Sequence, residues 1–119
     1  MTNLVRLADQ QARKRGASRA ARKIVSFDRR ELGLLLALYS ARVATGEWRD
    51  YAIDFRPGMA IFSIFRHAAE SPLYAIVKIP GGSGGIYQIY NGPRKRAHGD
   101  ALEDVLAVFD RKLRVLSGG

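Results

Sequence analysis

Two histidines, eleven acids and no cysteine set the limits of site chemistry in this chain of 119 residues. Thiol nucleophiles, disulfides and cysteine-based zinc sites are excluded outright. His98-Gly99-Asp100 could be taken for part of a metal site, but Asp100 is better used to start a helix. His67 stands beside an ordinary polar turn, so no metal is expected. Ser26, Ser40, Ser63 and Ser71 have no base close in sequence. Asp50 and Asp54 lie four apart on one strand face, a spacing that on a solvent-facing strand is ordinarily decoration. No nucleophile, base and orienting group come together. The chain reads as a non-enzyme with no catalytic or cofactor-binding residue. Gly81-Gly-Ser-Gly-Gly85 joins two strands and lacks the lysine and following helix of a phosphate cradle, so it reads as a flexible hairpin linker.

Charge carries the stronger signal. Arg6, Arg13, Lys14, Arg15, Arg19, Arg22 and Lys23 face one acid, Asp9, in the first twenty-three residues, which places +6 of the net +9 there. Such an arm favours polyanions without choosing among them. A second basic group, Arg94-Lys95-Arg96, reads as a loop, with Tyr74, Tyr87 and Tyr90 on the strands around it. Aromatic rings beside cations suit single-stranded nucleic acid. The plainer alternative is half-buried sheet tyrosines and a solvated loop. No signature of sequence-specific readout is present.

These residues need a scaffold, and the rest of the chain supplies one. Residues 1–22 lack a sustained apolar stripe and are expected to be disordered. Lys23–Phe27 is a short strand candidate. Asp28 and Glu31 make a capping box for a helix over about 28–45, ended by Gly46. Leu32, Leu35, Leu36, Tyr39 and Val43 form its stripe, widened by Leu34 and Leu38. Tyr51–Phe55 and Ala60–Phe65 flank the turn at Pro57-Gly58. Placing Arg56 opposite Met59 sets Phe55, Ile53 and Tyr51 against Ala60, Phe62 and Ile64 on one apolar core face. The reverse face holds Ile61 and Phe65 among polar residues. Leu73–Ile79 and Ile86–Tyr90 are two further strands, and Asp100 with Glu103 caps a last helix over about 100–115. Trp48 reads as closing one end of the core or, beside Arg49, as an interface anchor.

The predicted fold class is α+β: one two-layer domain at 23–119, preceded by the arm at 1–22. Its order is β-α-β-β-β-β-α, with a mainly antiparallel sheet of four to five strands and both helices on one face. The longest apolar run, Leu32–Ala41, is roughly half of a membrane span. Acids at its edge and Arg42 behind it argue against a signal peptide. A cytoplasmic protein without a membrane span is expected.

Val25-Ser-Phe-Asp-Arg-Arg-Glu-Leu and Gly46-Glu-Trp-Arg-Asp-Tyr-Ala-Ile-Asp-Phe resemble a small bacterial family, domain of unknown function 2794, found chiefly in alphaproteobacteria. The similarity continues through Ala60-Ile-Phe-Ser-Ile-Phe-Arg and Pro72-Leu-Tyr to the Asp110-Arg-Lys-Leu helix. It implies a bacterial cytoplasmic protein and brings no activity or site residue.

Two functions fit. The favoured one is a protein-interaction or self-assembly module using the sheet face away from the helices, with Ile61 and Phe65 as contacts. The alternative is a nucleic-acid-associated accessory protein. It would bind phosphates without sequence preference through Arg13, Lys14, Arg15, Arg19, Arg22 and Lys23 of the arm and Arg94, Lys95 and Arg96.

Overall fold

The structure, a computed structural model, describes residues 24–67 and 71–118, with side chains as far as residue 110. The arm at 1–22, with the disorder expected of it, and Lys23 lie outside the described residues. Helix α1 (Arg29–Ala44) starts at the capping box read from the sequence. The Asp28 carboxylate accepts the Glu31 amide at 2.8 Å, and the Glu31 carboxylate accepts the Asp28 amide at 2.7 Å. Five strands follow: β1 (Asp50–Arg56), β2 (Met59–Phe65), β3 (Tyr74–Ile79), β4 (Ile86–Asn91) and β5 (Arg94–Gly99). They form an antiparallel meander in the order β1-β2-β3-β4-β5. Helix α2 (Leu102–Gly118) ends the fold.

The first hairpin has the register that its turn dictates, Arg56 opposite Met59 through Tyr51 opposite Ile64. Gly58, at φ 77°, supplies the left-handed residue that Pro57-Gly58 needs. Both helices pack on one sheet face. Leu35 of α1 and Leu102, Val105, Leu106 and Phe109 of α2 join Ala60, Phe62, Ile64, Tyr74, Ile76, Tyr87 and Ile89 in one core. Trp48 is buried there at 2% exposed, with its ring 5.4 Å from that of Phe109. The fold is therefore α+β, with both helices on one face of a five-stranded sheet.

Several local expectations are corrected. Residues 24–28 are not a strand, and Ile24 stands 93% exposed. The segment meets the sheet through the buried Phe27 side chain and the Ser26 carbonyl, which accepts from Lys78 Nζ, and among the described residues it pairs with no strand; without a ladder partner it has no hydrogen bonds to hold it as one. Arg94-Lys95-Arg96 is not a loop but the start of β5, paired to β4 from Asn91 opposite Arg94, with a register shift at Ile89/Tyr90. At α2, the Asp104 and Val105 amides both donate to the Ala101 carbonyl at 3.1 Å, so Ala101 rather than Asp100 stands at the cap. Phe55, expected in the core, is 59% exposed because β1 is an edge strand.

The reverse face is the larger departure. Met59, Ile61, Ala75, Val77, Ile79 and Tyr90 form a second buried cluster, with Ile61 at 1% exposed. Among the described residues, Ile86 is the partly buried apolar side chain packed against it. Near-continuous apolar runs such as Met59–Phe65 are the mark of strands buried on both faces.

Candidate functional site

The densest group of ionisable side chains lies where α1 begins over the sheet. Glu31 is 2% exposed, and its carboxylate accepts from Lys78 Nζ at 2.9 Å and from the Tyr87 hydroxyl, besides the Asp28 amide. Lys78 and Tyr87 are opposite one another on β3 and β4, so the ladder delivers both donors to one point. Lys78 also donates to the Ser26 carbonyl at 2.9 Å. Gly85, at φ 113°, closes the β3–β4 loop against this lysine. A Cβ there would lie 3.2 Å from both Lys78 Cε and the Ile79 carbonyl oxygen. The Gly85 amide also donates to the Gly81 carbonyl at 2.8 Å, which closes the loop as a hydrogen-bonded turn.

Burial alone would raise the pKa of Glu31. The Lys78 ammonium, the Tyr87 hydroxyl and the Asp28 amide outweigh it and hold the carboxyl below its ordinary value of 4.5. The Tyr87 phenol is pushed well above 10.0 by burial and by the carboxylate that it donates to. The cluster is a carboxylate kept ionised and a phenol kept neutral, with both carboxylate oxygens engaged. Its chemistry is that of a pin joining α1 to the sheet.

A second pin holds the other end of α1. Arg42 is 3% exposed; its Nη2 donates to the Phe109 carbonyl at 2.7 Å, and its Nη1 lies 3.3 Å from Glu47 Oε1. The guanidinium sits 5.5 Å from the Trp48 ring centre and 5.8 Å from that of Phe109. Sequence reasoning missed both pins. The available signal was an arginine within the most apolar helix of the chain.

The open polar surface is at the sheet edge and end. Arg94, Lys95, Arg96 and His98 are all exposed on edge strand β5, which carries no acid. At the end where β5 starts, a cleft of about 700 Å³ is lined by Arg66, His67, Ser71, Pro72, Leu73, Asn91 and Gly92. Exposed Arg49, whose amide donates to the Phe65 carbonyl at 2.9 Å, stands at the same end of the sheet. The cleft offers donors suited to oxyanions. Tyr74, Tyr87 and Tyr90 are 6%, 3% and 0% exposed. Their rings belong to the two cores and offer no stacking platform to bases.

Of the residues singled out from sequence, Arg94, Lys95 and Arg96 come together on β5. Ile61 and Phe65 lie on the same side of β2, the first buried and the second half-buried. Arg13, Lys14, Arg15, Arg19, Arg22 and Lys23 lie outside the described residues. Among the described residues no three His, Cys, Asp or Glu side chains are grouped to hold a metal ion. No described helix is long and apolar enough to cross a membrane.

Neither a curated protein nor a solved structure matches the chain. The family described as "Protein of unknown function (DUF2794)" matches residues 25–106, from the segment before α1 to the first turns of α2. That span contains the capping box, all five strands, the Glu31 pin and the Arg42 side of the second, and the chain belongs to this family.

Proposed function

We propose that this chain is a non-enzymatic cytoplasmic accessory protein that holds nucleic acid by its phosphates. The observation that supports the reading is β5, an edge strand whose exposed Arg94, Lys95, Arg96 and His98 meet no acid on their own strand. The strand places these side chains along one border of the sheet, with the register shift at Ile89/Tyr90 falling at Arg96, between Lys95 and Ala97. The cleft with Arg66 and His67 extends the cationic surface around the end. The arm cations, Arg13 to Lys23, would add phosphate contacts in the same sequence-independent manner. With the tyrosines buried, the contact is to phosphates rather than stacked bases.

The test is fluorescence anisotropy with single-stranded RNA and duplex DNA over a salt series. For about six neutralised phosphates, log affinity falls against log salt with a slope of about −4 to −5. Replacing Arg94, Lys95 and Arg96 together by Ala brings the slope about 2 to 3 closer to zero. A slope unchanged by that triple substitution refutes the role given to β5.

A second reading is a protein-interaction or self-assembly module. Contacts through Ile61 and Phe65 would require the buried second face to be uncovered. What favours the reading is a different surface, the exposed Tyr51 and Phe55 of edge strand β1.

A further inference from the structure

Among the described residues, no strand pairs with the outer side of edge strand β1. The Tyr51 amide points away from β2, because its partner is the exposed Asp50 carboxylate, Oδ1 at 2.8 Å. Antiparallel alternation then turns the amides and carbonyls of Ile53 and Phe55 outward as well. The side chains of these three residues lie on the helix side of the sheet, with Tyr51 39% and Phe55 59% exposed. A long edge with exposed aromatic groups is a template for another strand.

We propose that β1 pairs antiparallel with β1 of a second copy of this chain, about a two-fold axis at Ile53. This deepens the self-assembly reading and rests on it. The charge pattern of the strand itself identifies the occupant. In the register centred on Ile53, Asp50 meets Arg56 of the partner subunit and Tyr51 meets Phe55 of the partner subunit. Ala52 meets Asp54 of the partner subunit, and the two Ile53 side chains face each other. Every residue of Asp50–Arg56 is then paired, both strand ends join opposite charges, and both aromatic positions face aromatic partners. Outward amides require shifts of two residues. A shift one way puts Asp50 opposite Asp54 of the partner subunit. A shift the other way puts the two Asp54 carboxylates face to face, and like charges directly opposed weaken a ladder.

Asp50 has a part in both states. In the single chain its carboxylate holds the outermost open amide, that of Tyr51. On pairing, that amide passes to the carbonyl of Phe55 of the partner subunit, and the carboxylate turns to Arg56 of the partner subunit. The interface is isologous, so each change acts twice. The two sheets join edge to edge with their helices on the same side.

The test is sedimentation velocity on the full chain from about 1 to about 500 micromolar, with circular dichroism to verify folding. A concentration-dependent dimer is expected. Asp50→Arg, which opposes like charges at both ends, weakens it about tenfold, and Asp50→Arg with Arg56→Asp restores it to within about threefold. Ile53→Pro removes an outward amide that β2 does not use and abolishes the dimer while the chain stays folded. A dimer indifferent to all three variants overturns the β1 pairing and leaves self-assembly standing by another surface. A monomer throughout overturns both.

Discussion

Truncating Glu31 to Ala is expected to cost about 4 kcal/mol of stability, which is most of what a small domain holds in reserve. The figure follows from what the carboxylate holds. It accepts the Lys78 ammonium at 2.9 Å, the Asp28 amide at 2.7 Å and the Tyr87 hydroxyl, in a residue only 2% exposed. Removing it leaves Lys78, with a side chain 14% exposed, its Ser26 carbonyl alone. Breaking one side of a buried ion pair costs about 3–5 kcal/mol, and the lost half of the capping box adds about 0.5–1 kcal/mol. For a domain this size the melting temperature falls by about 15–30 °C. Glu31→Gln keeps the shape and one acceptor and should cost about 1.5–2 kcal/mol. The assay is urea denaturation followed by circular dichroism, extended to a cycle with Lys78→Met whose coupling is expected at about 1–3 kcal/mol. A loss below about 1 kcal/mol for Glu31→Ala, at unchanged denaturant slope, refutes the pin.

The same cluster makes stability depend on pH on both sides. The folded pKa of Glu31 lies below 4.5, so its contribution is complete above that pH and is lost as pH falls through the folded value. Urea midpoints of the native chain and of Glu31→Gln should therefore converge in acid. The folded pKa of Tyr87 lies above 10.0, so stability is full below pH 10.0 and declines as pH rises beyond it, a loss smaller in Tyr87→Phe, where the phenols of Tyr39 and Tyr90, also raised by burial, still contribute. At the other pin, Arg42→Lys should cost about 2–3 kcal/mol in the same urea assay. An ammonium cannot both reach the Phe109 carbonyl and lie flat between the Trp48 and Phe109 rings.

Wherever neighbours along the chain decide, the sequence was enough. Asp28 and Glu31 are three residues apart, and a helix start needs no more than that to satisfy its first amides. The Pro57-Gly58 turn admits one register, and that register sorts Ala60, Phe62 and Ile64 to one face. Apolar stripes put both helices on that face, and the counts of charge and cysteine bounded the chemistry.

What depended on partners distant in sequence was decided by the tertiary structure. Residues 24–27 have strand-forming types but meet the sheet through the Phe27 side chain and the Ser26 carbonyl without pairing to a strand, whereas the charged Arg94–Gly99 is a strand because β4 offers it a ladder. Phe55 and Ile61 are both apolar residues of one hairpin. One is exposed because its strand is at the edge, and the other is sealed in a second core. Glu31 is legible as a capping residue, but its ion pair with Lys78 spans 47 positions. The Arg42 contact with the Phe109 carbonyl spans 67. Local pattern records which groups must be satisfied. Which groups satisfy them is fixed only when the sheet brings distant strands and helices into contact, because hydrogen bonds and ion pairs act over a few ångströms of space and not along the chain.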